Sequence, residues 1–440
     1  MSKIQNVAFV GHGTCGKTTL VEELLFRGKS LPRAGKVDDK TSVLDSTPQE
    51  RERHFTIEAS VGSVTKGGDR INLVDTPGYP DFLSTAVDAM SAVETAVIVV
   101  DGTQGIRVNT RRVWDEANKL HLARMIVVSR LDMEMADFEA RVSEIQETFG
   151  SSCVPLFLPN ASGRDFASID SAYPLRDDSS DSAKSINSQI VEAVIEADED
   201  LMERYLADEK ISEAEIDAVF TQALLSGTIV PIIPVSVMKE VGVDELLETL
   251  WHLLPDADVP HGLPMHDAEG NEIEESPCGS ADDPLLARVW KVDLDPFVGK
   301  LSYLRIYAGT ASPNQQVTHH TKSSKDRLTN LLRTQGKEQE TIDSAGPGDI
   351  IAVPKVESLS IGDTIGDASL TRKFATFERP RSMVKLAVEA KNRNDETKLN
   401  EVLIKLTESD SAFSVERVVQ THELVISGRS QLHLDIMLSR

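Results

Sequence analysis

Residues 4–10 (IQNVAFV) form a mainly apolar run that enters a glycine-rich loop (GHGTCGKT) and then the helical spacing of TLVEELLF. The order is strand, loop, helix. Further short apolar runs at 70–74, 96–100, 124–128 and 229–234 are separated by stretches of helical periodicity. That alternation predicts a doubly wound α/β domain over residues 1–255. Within it, from about residue 154 to 228, the strand rhythm gives way to a polar stretch (RDDSSDSAKS) and an acidic helical pattern over 186–225. This reads as an insertion. Residues 256–284, rich in Pro, Asp, Glu and Gly, read as a linker.

Beyond the linker the period changes. Residues 285–370 alternate apolar and polar positions in short runs (LLARVWKVD, KLSYLRIYAG, GDIIAV) broken by glycine and proline, which predicts an antiparallel β-barrel. Residues 382–440 read as strand, helix, strand, strand, helix, one strand short of a ferredoxin-like α+β domain.

Composition adds exclusions more than assignments. With 40 % hydrophobic and 27 % charged residues among 440, and apolar runs far shorter than the ~18 residues of a membrane span, a membrane protein is excluded. The N-terminus resembles neither a secretory signal nor a transit peptide, so a cytoplasmic location is expected. Cys15, Cys153 and Cys278 lack the spacing of a disulfide framework or a zinc site. The net charge of −25 is uneven: from Leu285 onward 22 Lys and Arg face 20 Asp and Glu, leaving 24 against 51 before it. Indiscriminate nucleic-acid binding is therefore disfavoured, while a phosphate-rich partner for the C-terminal part stays open.

The chemistry lies in three short motifs. Gly11, His12, Gly13, Thr14, Cys15, Gly16, Lys17 and Thr18, with Thr19 following, match G-x-x-x-x-G-K-[ST] between a strand and a helix. In such a loop backbone N–H groups close around phosphate oxygens, the lysine reaches the β- and γ-phosphates, and the hydroxyl of Thr18 ligates Mg²⁺. Asp75, Thr76, Pro77 and Gly78 follow a strand, where Asp75 can hold Mg²⁺ through water and Gly78 can offer its N–H to a γ-phosphate. Ser129, Arg130 and Asp132 follow another strand, with Asp132 able to accept from guanine N1 and N2. The three in this order select a guanine-nucleotide binder, GTP or GDP with Mg²⁺, over an ATPase.

These motifs, with DTPGYPDF, ERHFTI, DPFVGKLSYLRIYAGT and ELVISGRSQLHLDI, resemble bacterial elongation factor G, a translational GTPase, over essentially the whole chain. The resemblance implies that Thr56 is the first-switch threonine closing over Mg²⁺ and the γ-phosphate, and that Ser236 and Val237 support the guanine. It implies catalytic roles for Lys17, Thr56, Gly78 and Tyr79, a monomer, and the ribosome, both RNA and proteins, as partner. The family's fourth and fifth domains have no counterpart, so a fragment of a longer product is expected.

Three departures matter. Tyr79 stands where the family usually has the histidine that positions the attacking water, Ser129 and Arg130 replace the usual Asn and Lys, and Thr14 replaces the usual Asp. A divergent paralogue with slow hydrolysis is the resulting expectation. The alternatives are a GTP-dependent ribosome-binding switch with negligible hydrolysis, and a release-factor-like or ribosomal-protection GTPase. Arg51, Arg53 and His54 beside Thr56 read equally as RNA contacts or as a solvated loop, and so do Lys322, Lys325 and Arg327. His319 and His320 read as surface residues, and Cys15 as loop filling in preference to a redox sensor.

Overall fold

The computed structural model describes residues 3–207, 209–259, 262–267, 269–274, 276–295, 299–375 and 382–440. Seven strands form the first sheet, in the order Ser60–Lys66, Asp69–Asp75, Ile4–Gly11, Thr95–Asp101, Ala123–Ser129, Val230–Pro234, Cys153–Pro155. All neighbours are parallel except Ser60–Lys66, which pairs antiparallel with Asp69–Asp75. Two apolar layers cover its faces. Val7, Phe9, Val97 and Val127 point to one, and Ala8, Val10, Ile98 and Val128 to the other, as strict alternation requires. The near-continuous apolar strands of the sequence are thus strands buried on both sides.

The strand Ser60–Lys66 lay outside the sequence pattern because its residues (SVGSVTK) are small and polar. Its pairing depends on the two-residue turn Gly67–Gly68, with φ of 65° and 103°, a geometry that glycine reaches without strain. Inside the insertion three helices, Asp181–Ile195, Glu199–Leu206 and Glu213–Ser226, start at side-chain caps from Ser180, Asp198 and Ser212. Ala183, Ile190, Val194, Leu201 and Phe220 carry them onto the first apolar layer.

The second domain is an eight-stranded antiparallel sheet built on the long pair Leu286–Asp295 and Gly299–Ala308. Residues 296–298, within the DPFVG segment, lie outside the described residues. The preceding acidic segment contributes two short strands, Met265–His266 and Glu272–Ile273, to a small sheet with Lys373–Phe374. Polar groups join this domain to the first: Arg305 lies 2.8 Å from Glu94, which also accepts from Asn6 at 2.9 Å, and Tyr307 Oη donates to the Ser91 carbonyl. His319 is not a surface residue. It is fully buried, 2.8 Å from Asp363, and its Nδ1 accepts from the Lys322 backbone N–H. Lys322 is exposed, but its ammonium is drawn onto the domain's own loop, 3.0 Å from Asp363 and 2.9 Å from Ser360 Oγ.

In the third domain Val384–Val388 and Ser414–Arg417 flank Leu424–Gly428, with helices Glu396–Ser409 and Gln431–Leu438 on one face. Helix Gln431–Leu438 lies against the first domain. Ile436 packs with Ile57 and Phe82, Arg440 pairs with Glu58, and Gln49 Nε2 donates to the Ser439 carbonyl. This contact runs along the segment that carries Thr56.

Candidate nucleotide site

The strand Ile4–Gly11 ends in a loop that feeds helix Lys17–Arg27. Gly11 and Gly16 take φ of 146° and 92°, and Thr14 reaches 65° on an exposed position. A Cβ at Gly11 would lie 2.5 Å from the Val99 carbonyl, so glycine is required there twice over. The Lys17 ammonium lies inside the loop, donating to His12 O at 2.9 Å. Burial first, then Lys17 and Arg107, push the His12 imidazole below its usual range, which keeps it neutral at pH 7. Cys15 is buried, and burial pushes its thiol up, away from the reactive thiolate that a redox sensor needs. Thr19 sits half-buried on the first helical turn.

At the foot of the loop three expected residues meet. Thr18 Oγ1 donates to Asp75 Oδ2 at 2.7 Å and lies 2.9 Å from Thr56 Oγ1. A fourth joins them that the sequence did not single out: Thr56 also donates to Asp45 Oδ1 at 2.8 Å. The second oxygens, Asp75 Oδ1 and Asp45 Oδ2, are buried without a hydrogen-bond partner. Burial drives Asp45 up to about 7 and, with repulsion from Asp45, drives Asp75 up to about 8. Two hydroxyls and two carboxylates with open lone pairs are the hard oxygen donors that Mg²⁺ takes, so the residues fit that ion.

The raised values predict a pH dependence. In the metal-free protein these carboxyls stay protonated to higher pH than in the unfolded chain, so stability is lost as pH rises from the ordinary Asp range toward about 8. Mg²⁺ binds the ionised forms. Millimolar Mg²⁺ added to nucleotide-free protein is therefore expected to raise Tm more at about pH 8.5 than at about pH 5.5. Equal gains in thermal melts would remove these carboxylates from a metal site.

Thr76 Oγ1 donates to Phe9 O at 2.6 Å, anchoring the turn through buried Pro77 to Gly78. Gly78 rests directly on the loop: a Cβ there would fall 2.3 Å from Lys17 Nζ and 2.6 Å from Gly13 N. Its carbonyl accepts from Asn109 Nδ2 at 2.9 Å, a fully buried contact from helix Val108–Lys119 that no motif announced. Next comes Tyr79, whose ring lies over Gly13, 3.1 Å from where a Cβ would stand. Gly13 does not have a positive φ, so its missing side chain makes room for this ring. The ring also packs against Phe55, with centroids 4.6 Å apart.

On the other side, Ser129 Oγ donates to Cys15 O at 2.7 Å, tying this strand end to the phosphate loop. Arg130 adopts φ 57° and its guanidinium reaches Asp101 at 2.9 Å. Asp132 Oδ1 accepts from Ser236 Oγ at 2.6 Å, and Val237 packs against the first apolar layer. A separate cavity of about 670 Å³, lined by Phe157, Tyr173, Glu245 and Leu253, lies away from these groups. Among the described residues no helix is long and apolar enough to cross a membrane.

A doubly wound sheet with this loop at the end of its first strand, and with Asp75 and Asp132 at the ends of two others, defines a P-loop nucleotide-binding protein. Family models match along the chain: the elongation factor Tu GTP binding domain over residues 2–256, elongation factor G domain 2 over 284–368, and elongation factor G domain III over 379–440. The chain belongs to the elongation factor G-like translational GTPases. A solved structure of a Thermus thermophilus protein is 30 % identical, with a TM-score of 0.85 over 99 % of this chain. The chain spans 65 % of that protein's length.

Proposed function

We propose that this GTP-binding translation factor binds GTP with Mg²⁺, engages the ribosome and hydrolyses GTP to GDP and phosphate, slowly because of Tyr79. The observation that carries the reading is that Thr18, Thr56 and Asp75 meet beside the point where Lys17 and Gly78 come together. Lys17 and the backbone N–H groups of residues 11–19 hold the phosphates, and Gly78 gives its N–H to the γ-phosphate. Thr18 and Thr56 hold the metal, with Asp75 acting through water. When bound, Mg²⁺ neutralises charge on the β- and γ-phosphate oxygens. Tyr79 occupies the position from which the attacking water is oriented. The factor acts as a monomer in the cytoplasm.

Ser129, Arg130 and Asp132 form the base side, with Ser236 and Val237 behind it. Ser129 replaces an amide by a hydroxyl yet reaches the Cys15 carbonyl, and the Arg130 stem supplies a flat apolar surface for the purine. Guanine selection then rests on Asp132. Asp132→Asn is expected to shift preference from GTP toward XTP by about tenfold or more, since it trades an acceptor for a donor facing the base. Competition binding against a fluorescent GDP analogue reads this. A variant that still prefers GTP as strongly as the parent would move the base pocket elsewhere.

A second reading has its own observation. Tyr79 packs on Gly13 and Phe55 as part of an apolar cluster with Phe82 and Ile436. That arrangement also suits a switch that holds GTP and engages the ribosome with negligible hydrolysis.

A further inference from the structure

We propose that Glu22 is the positioning residue that assembles the first switch segment and delivers Asp45 and Thr56 to the metal side of the site, an inference that rests on the nucleotide reading above. Glu22 is fully buried in helix Lys17–Arg27. Its Oε1 accepts from Ser42 Oγ at 2.7 Å, Val43 N at 2.7 Å and Leu44 N at 3.3 Å, and its Oε2 accepts from Gly35 N at 2.9 Å. Four donors from one segment thus converge on one carboxylate. Gly35 is pressed so close to the returning chain that a Cβ would lie 2.5 Å from Thr41 O, which pinches residues 35–42 into a closed loop.

The consequence passes along the chain by short links. Ser42 Oγ, held by Glu22, accepts from Leu44 N and Asp45 N, each at 3.1 Å. Leu44 is buried and its carbonyl accepts from Ser60 Oγ at 2.7 Å. Asp45 comes next and accepts from Thr56. Thr18 and Glu22 are four residues apart, so one face of one helix carries both the metal-side hydroxyl and the anchor. The helix that begins at the phosphate loop therefore fixes the switch relative to Lys17 and Thr18 through Glu22. A buried carboxylate surrounded by charge-assisted donors is costly to replace, because each N–H then loses its partner in the interior.

Lys36 and Lys40 are exposed in the pinched loop and give trypsin two sites within it. In nucleotide-free protein, cleavage at these two sites is expected to be about tenfold or more faster in Glu22→Ala than in the parent, with Glu22→Gln between them. Cleavage at Lys325 and Arg327, on the second domain, stays unchanged, which separates local release from general unfolding. GDP affinity of Glu22→Gln stays within about threefold of the parent, while its advantage for a GTP analogue over GDP shrinks by about tenfold. If Glu22→Ala lacks a cooperative melt, Glu22→Gln carries the comparison. Cleavage at Lys36 and Lys40 equal to the parent's in the folded variants would overturn the proposal. A parent that binds neither GTP nor GDP would instead refute the nucleotide reading, and the nucleotide-free cleavage would still judge Glu22.

Discussion

Replacing Lys17 by alanine is expected to lower GTP affinity about a thousandfold, and GDP affinity by less because GDP lacks the γ-phosphate, while leaving the thermal melt almost unchanged. Lys17 is only 5 % exposed, and its ammonium donates to the loop's own carbonyls at His12 and, more weakly, Gly11. The main acceptor, the His12 carbonyl, is only part-buried, so water can replace the lysine there and little stability is lost. For the nucleotide the situation differs. A charge-assisted hydrogen bond to phosphate contributes roughly 1.5–3 kcal/mol, and Lys17 would reach two phosphates, giving about 4 kcal/mol in total. No other lysine or arginine occupies the phosphate-loop motif. Titration with a fluorescent GTP analogue measures the change. An affinity within about threefold of the parent would refute the phosphate-loop assignment.

Tyr79→His is expected to speed single-turnover GTP hydrolysis on ribosomes about a hundredfold, with GTP affinity held within a few fold. Tyr79 directly follows the proposed γ-phosphate contact Gly78, where a nucleophilic water must be held in line. A neutral phenol can donate or accept a hydrogen bond but cannot add positive charge near the phosphate as an imidazolium can. Phosphoryl transfer depends on orientation and electrostatic stabilisation, and one well-placed group commonly contributes about a hundredfold or more. The contacts of the ring sharpen the expectation. Imidazole is smaller, so it leaves space above Gly13 and keeps only part of the packing on Phe55. The full-length forms of parent and variant, each with a histidine-bearing elongation factor G as reference, decide the matter. A parent as fast as the reference, unimproved by the substitution, would show that Tyr79 acts through packing and that another group orients the water.

The motifs could be read from the chain because their physics is local. A strand followed by glycines, a lysine and a hydroxyl residue is a phosphate cradle whatever surrounds it, since the backbone N–H groups and the helix N-terminus lie within eight consecutive residues. Asp75 and Asp132 stand out in the sequence for a related reason: each ends or follows an apolar run, and strand ends of a parallel sheet face one edge. Asp45, Asn109 and Glu22 carry no such sign. Asp45 sits in an ordinary polar loop, Asn109 in the first turn of a helix, and Glu22 beside Glu23 on a helix that reads as amphipathic. Their meaning comes from partners 11, 31 and 13 to 22 residues away in sequence.

The same division explains the misread side chains. His319 ends the strand Gln316–His319 and His320 follows in the turn; the sequence does not say which of the two faces inward, and only the packed barrel puts Asp363 beside His319 and makes burial of an imidazole tolerable. Tyr79 shows it most plainly. Its identity and its place after Gly78 are sequence facts, whereas its seat on Gly13 and its neighbour Phe55 required three separate loops to be brought together. Periodicity and backbone chemistry act within a few residues and therefore determined the α/β domain, the barrel, the partial third domain and the phosphate loop from the chain alone. Which buried carboxylate meets which distant donor is settled by the cost of leaving polar groups unpaired in a packed interior, and that cost exists only once the tertiary structure has formed.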